Sequence, residues 1–181
     1  MSKRLHSLFP GLTGRMPVLF LLISLVGFAA GPVLSSALPQ PSGRIVLTVS
    51  GAIENTNTGD LARFDRQMLE DLGTRSLTTS TSWTDGPTRF EGVLARDLLR
   101  AVGARGSVVK ATALNDYSIE IPIEDFEKYP VLFAMKMDGS ELSRRDKGPI
   151  WVVYPRDDYS ELRNPKVDAK WIWQLVKIEV K

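Results

Sequence analysis

TTSTSWTDGPTRFEGVLARDLL, Thr78 to Leu99, is the stretch whose reading decides the fold. Its first part belongs to Arg75 to Ser82, a Ser- and Thr-rich run that fits a strand through its β-branched side chains. Asp85-Gly86-Pro87 then marks a turn, so Trp83 to Phe90 reads as a loop. Val93 to Val102 follows with Leu94, Leu98, Leu99 and Val102 on one helical face, and Gly103 is placed to stop it. A strand, a polar turn and a short helix in this order give no sign of the strand–helix–strand alternation that parallel sheets need.

The flanks extend the pattern. Upstream, Leu38 to Gly43 (LPQPSG) reads as a tether, Ile45 to Val49 as a first strand and Asn55 to Gly59 as a loop. Asp60 is placed to cap a helix over Leu61 to Leu72, where Leu61, Phe64, Met68 and Leu72 share a face and Gly73 ends the run. Downstream, strands are expected over Val108 to Ala113, Tyr117 to Ile121, Val131 to Met137 and Ile150 to Tyr154. Asn115-Asp116 and Asp138-Gly139 are the turns, and Pro122 to Tyr129 is a short helix or turn. Leu142 to Gly148 and Asp157 to Val167 are charged or polar loops. Lys170 to Val180 reads as a closing strand, apolar at Ile172, Val176, Ile178 and Val180. About seven strands against two clear helices predict an α+β fold: a mixed or barrel-like β core with a few peripheral helices.

The first 37 residues differ from the rest. Lys3, Arg4 and Arg15 precede or flank an apolar run from Pro17 to Ala30, and Ser35-Ser36-Ala37 supplies small residues for cleavage. This is the pattern of a secretory signal peptide, and the run is shorter than the roughly 20 residues a spanning helix requires. The expectation is export to a bacterial periplasm, with residues 38–44 as a tether and 45–181 as one domain. Three of the 23 Lys and Arg and none of the 21 Asp and Glu lie in the leader, so the remainder carries 20 basic against 21 acidic residues. No basic tail or patch supports nucleic-acid binding.

The chain has no cysteine, and its one histidine, His6, lies in the leader. Thiolate and imidazole metal sites are therefore excluded beyond residue 37, as are Ser-His-Asp and Cys-His nucleophilic machinery.

FEGVLARDLL, with ALNDY (113–117) and RDKGPIWVVYP (145–155) downstream, resembles the molybdopterin-binding domain of the sulfite oxidase family, over roughly Ile45 to Val180. In that family a cysteine just upstream of the F/W-x-G-V element holds molybdenum. Here the region reads Ser76, Leu77, Thr78, Thr79, Ser80, Thr81, Ser82, Trp83. The resemblance implies a pterin scaffold without the thiolate. Small exported members of this fold, the PruR-type periplasmic proteins, bind a free pterin without metal and partner a membrane-bound cyclic-di-GMP regulatory enzyme.

A pterin needs an aromatic face and a carboxylate for its amino-pyrimidine edge. On the resemblance, Asp116, between Asn115 and Tyr117, is the carboxylate; the alternative is an Asx turn. Trp83, flanked by Ser82 and Thr84, is the stacking platform or else a core residue. Tyr117 and Tyr154 are further candidates, and Arg89 a further donor. Trp171 and Trp173 read as packing on the last strand. Arg144, Arg145 and Lys147 would hold a phosphate tail or an anion, or else form a solvated loop. The Ser/Thr run is an edge strand with hydroxyls in water, or a hydrogen-bonding wall in place of a metal site.

The resemblance, with the export signal and the missing cysteine, implies a non-catalytic periplasmic pterin-binding protein that signals to a membrane-bound cyclic-di-GMP regulatory enzyme. Two alternatives stand beside it. One is a molybdopterin-dependent oxidoreductase with an oxygen ligand on the metal. The other is an accessory interaction protein with no ligand.

Overall fold

A mixed and an antiparallel β-sheet meet across one apolar core in the computed structural model, which describes residues 38–181. The expected leader, residues 1–37, lies outside the described residues. In chain order the elements are β1 (Ile45–Gly51), β2 (Ala62–Asp65), α1 (Arg66–Asp71), β3 (Thr74–Thr79), β4 (Thr88–Leu94) and α2 (Ala95–Ala101). Then come β5 (Val108–Ala113), β6 (Ser118–Pro122), α3 (Ile123–Lys128), β7 (Leu132–Met137), β8 (Ser140–Glu141) and β9 (Trp151–Val153). A 3-10 turn (Ser160–Leu162), α4 (Pro165–Asp168) and β10 (Leu175–Val180) complete the chain. One sheet runs β2-β1-β10-β5-β6, with only β1 and β10 parallel. The other runs β3-β4-β7-β8, with β9 also on β7. This is the α+β class expected, with short helices at the margins.

The expected helix over Leu61 to Leu72 is half strand. Ala62 and Phe64 alternate with exposed Arg63, and β2 pairs with β1 before the chain turns helical at Arg66. The cap is Asp65, not Asp60. Its carboxylate accepts from the Met68 amide at 2.9 Å and from the Ser42 and Gly43 amides at 2.8 and 2.7 Å. Helical spacing of Phe64 and Met68 could not reveal this, because Phe64 satisfies a period of 2 as well as one of 3.6. Asp65 also changes the reading of the tether, since it clamps residues 42–43 to the body. The Met68 amide, followed by those of Gly43 and Ser42, holds the Asp65 carboxyl below its ordinary range against the opposing effect of burial.

The FEGV element is a strand and not a loop end. β4 runs through Leu94, and α2 starts only at Ala95. Phe90 and Val93 are buried, and β4 pairs with β7 with a register shift between Glu91 and Gly92. A Cβ on Gly92 would run into the Phe133 carbonyl, so the glycine lets these two backbones approach.

The closing strand is shorter than expected. It starts at Leu175, because Gln174 is left-handed (φ 53°) and turns the chain out of the extended path. Gln174 is held there by three bonds: its amide donates to Lys147 O, and its side chain donates to Arg144 O and Asp146 O at 3.0 and 2.9 Å. A register shift between Leu175 and Lys177 then buries Leu175, Ile178 and Val180 and leaves Val176 half-exposed.

The core holds Phe64, Phe90, Phe126, Phe133, Trp151 and Tyr154, all fully buried. Each contributes roughly 1.5–3 kcal/mol through burial. The chain therefore folds on a conventional apolar interior with no cross-link.

Candidate functional site

Four tryptophans converge at one end of the second sheet. Trp83 lies between the others, with ring centroids 6.2 Å from Trp151, 6.0 Å from Trp171 and 5.6 Å from Trp173. Trp151 and Trp171 are buried, whereas Trp83 and Trp173 are each 38% exposed. A graded cluster of this kind has a packed floor and open aromatic walls. Beside it is a cleft of about 280 Å³ lined by Trp83, Ala113, Asn115, Tyr117, Asp168, Ala169, Trp171, Ile172 and Trp173. Its volume is close to the lower end of the roughly 300–1,000 Å³ usual for small-molecule sites.

The walls are positioned by local chemistry. In the loop between β3 and β4, Thr81 Oγ1 accepts from the Trp83 amide at 2.9 Å and lies 2.9 Å from Thr84 Oγ1. Ser82 Oγ accepts from Arg156 Nη1 at 2.8 Å and donates to Asp168 Oδ2 at 3.0 Å. Asp157 accepts from the amide and the hydroxyl of Ser80. These bonds lace the Ser/Thr loop to the segment 156–168 through Ser80 and Ser82, while Thr78 stays exposed. On the other side, Asn164 caps α4, which delivers Asp168, and the turn after it delivers Trp171. Lys170 donates to Asp125 at 2.6 Å, and the Tyr154 hydroxyl donates to the same oxygen at 2.9 Å. That half-buried anchor fixes the chain next to Trp171.

The sequence-derived candidates divide. Ser82, Trp83, Asn115 and Tyr117 are brought together: three line the cleft and Ser82 braces it. Tyr117 is 51% exposed at the rim. Asn115 Oδ1 accepts from the Tyr117 amide at 3.2 Å, forming an Asx turn. Thr84 fixes the Trp83 loop through Thr81 without lining the cleft.

The others lie elsewhere. Asp116 adopts φ 64° and faces a different shallow surface with Lys110 and Thr112, because a residue between Asn115 and Tyr117 at this turn points away from them. Tyr154 is fully buried with its hydroxyl on Asp125, and burial, then the Asp125 charge, raises its pKa. It is a core residue. Arg89 pairs with Glu91 at 3.5 Å on β4, away from the cleft. Arg144 lines a separate groove with Asp65 and Arg66, and Arg145 is exposed. Only Lys147 of that cluster approaches the tryptophans, with Nζ 5.5 Å from the Trp151 ring centre and 3.1 Å from Asp146.

Asp168, Trp171 and Trp173 were not expected as site residues. The signal was available in the pattern Trp171-Ile172-Trp173 beside Trp83 and Trp151. Reading 170–180 as a regular strand assigned it to packing.

The fold and site define a small α+β domain with an aromatic cleft at one end. The sequence model of the oxidoreductase molybdopterin binding domain matches residues 40–176, and the chain belongs to that family. Membership implies a pterin-type cofactor. A comparison with curated proteins returns no match. Among solved structures, the chain is similar to the sulfane dehydrogenase SoxCD from Paracoccus pantotrophus, at 16% identity and a TM-score of 0.52 over 75% of this chain. It spans 37% of that longer chain, and at this identity the likeness shows the fold alone.

The residues fit the two halves of the family's cofactor unequally. An aromatic cleft suits a flat ring. The donor set does not suit a thiolate-held metal: there is no cysteine, and the Ser82 hydroxyl is engaged by Arg156 and Asp168. Among the described residues no group of three His, Cys, Asp or Glu could hold a metal ion.

Proposed function

We propose that this protein is a pterin-binding module in which the cleft holds the ring without metal, and that it acts as a sensor and not as an enzyme. The observation that carries this reading is the tryptophan cleft beside the loop in which the family would keep its cysteine. Trp83 and Trp173 offer partly exposed aromatic walls, and the loop hydroxyls are committed to bracing them. Stacking a planar heterocycle on such walls is worth about 1–3 kcal/mol per aromatic platform. The purified protein should show saturable quenching of tryptophan fluorescence by at least one of a panel of oxidised and reduced pterins. No binding across the panel would sink the proposal.

The exported, single-domain reading of the sequence supports a periplasmic location and a membrane-bound cyclic-di-GMP regulatory enzyme as partner. Binding to the periplasmic domain of such an enzyme should depend on added pterin. Equal binding with and without pterin would remove the sensing role.

An oxidoreductase with an oxygen ligand on molybdenum is the competing reading. Family membership and the place of Ser82 at the cleft favour it. Metal analysis of protein from a host that makes the cofactor separates the two, since stoichiometric molybdenum overturns the metal-free reading.

A further inference from the structure

Among the described residues, the exposed large hydrophobic side chains are Trp83, Tyr117 and Trp173, and all three line the tryptophan cleft. Singly scattered exposed aromatics need no explanation, but a set gathered on one cleft marks a binding surface. The other polar residues of the lining are Asn115 and Asp168, and no lysine or arginine is among the described residues that form it. Cations on the neighbouring segments are engaged elsewhere. Arg156 donates to Ser82 at 2.8 Å and lies 3.7 Å from Asp168. Lys170 donates to Asp125 at 2.6 Å, and Lys147 to Asp146 at 3.1 Å. Arg144, expected to hold a phosphate tail, lines a different groove, and Arg145 is exposed.

These features set the charge of the ligand. The faces of aromatic rings are electron-rich, so they attract cations and repel anions. An anion taken out of water needs a cation or several donors to offset its lost hydration. The cleft offers a carboxylate instead, and Arg156 offsets that carboxylate without leaving surplus positive charge. In a cleft of about 280 Å³, a charge one atom off a bound ring stays inside the screening length of about 8 Å at physiological salt. We propose that the cleft selects its ligand by charge: it takes flat rings with neutral or cationic substituents and refuses those bearing a carboxylate or a phosphate. This rests on the pterin-binding reading and deepens it, because it restricts the ligand to pterins without an acidic tail.

The test is a fluorescence titration of the whole protein at neutral pH with three pterins that differ only at C6: hydroxymethyl (neutral), aminomethyl (cationic) and carboxy (anionic). Wild type should bind the aminomethyl form at least as tightly as the hydroxymethyl form, and the carboxy form at least about tenfold more weakly. Added salt should narrow that gap. Asp168→Asn removes the carboxylate and frees the charge of Arg156, and Asn115→Lys adds a cation to the lining. Each should narrow the gap at least about threefold. A carboxy form that binds within tenfold of the hydroxymethyl form overturns the assignment, and so does an aminomethyl form that binds more weakly. A gap that neither salt nor either variant narrows comes from shape, and that result overturns it too. Should a variant fail to fold, the wild-type series and its salt dependence still decide. If wild type binds none of the three, the pterin reading itself falls. If it binds all three alike, only the charge assignment does.

Discussion

A larger hollow on the surface and the tryptophan cleft make an instructive pair. The groove between α2 and α3 has a volume of about 600 Å³, more than twice that of the cleft, and is lined by Glu54, Arg96, Arg100, Arg105 and Glu127 among others. Its charges are largely served by neighbours: Arg105 pairs with Glu54, and Arg100 with Asp97 at 2.9 Å. Exposed pairs of this kind contribute about 0–1 kcal/mol and ask for no ligand. The smaller cleft has aromatic walls, and two of its tryptophans, Trp83 and Trp173, are each partly exposed. Partly exposed aromatic surface, and not volume, sets the cleft apart from the groove.

The largest expected effect tests the floor of the cleft. Trp151→Ala should cost about 3–5 kcal/mol in a denaturant titration, because a fully buried indole leaves a void beneath Trp83 and Phe90. A loss under about 1 kcal/mol would mean that this cluster is loosely packed. Next, Trp83→Ala should weaken pterin binding by about 1–3 kcal/mol while the protein stays folded. Unchanged affinity in a titration would move the stacking wall to Trp173 or outside the cleft.

Asp65→Ala removes a helix cap and the clamp on residues 42–43, and should cost about 1–2 kcal/mol. Its carboxyl is held low in the folded state, so its contribution is present above the unfolded pKa of about 3.9 and lost as pH falls through the folded value. The gap between variant and wild type in urea midpoint should therefore close in acid. A gap that persists there would assign the effect to packing.

The smallest effects test the comparison from its other side. Arg100→Ala in the larger groove should shift stability by no more than about 1 kcal/mol and leave pterin affinity unchanged. Asp116→Asn should also leave affinity unchanged, because Asp116 faces away from the cleft. A loss of pterin binding in either variant would break the argument that the cleft is the site.

Part of the site was legible before any coordinates. Trp83 stood out in a polar loop, and Asn115 and Tyr117 lay in a motif of their own. Asp116 was the natural carboxylate by residue type, but a turn sends consecutive side chains to opposite sides, and its backbone is left-handed. Tyr154 resembled a ligand donor only while its partner Asp125, distant in sequence, was unknown. Asp168 looked like one charge in a polar loop. Its place at the cleft depends on Ser82, which only folding brings beside it.

Sequence alone determined the α+β class, most strands and the lack of any thiolate or imidazole beyond residue 37. These follow from local periodicity, backbone sterics and residue inventory. Tertiary structure decided where β2 gives way to α1, that Gln174 ends the strand reading of 170–174, and that Trp83 and Trp151 join Trp171 and Trp173 in one cluster. Those outcomes depend on hydrogen bonds and packing between distant segments, which no local pattern encodes.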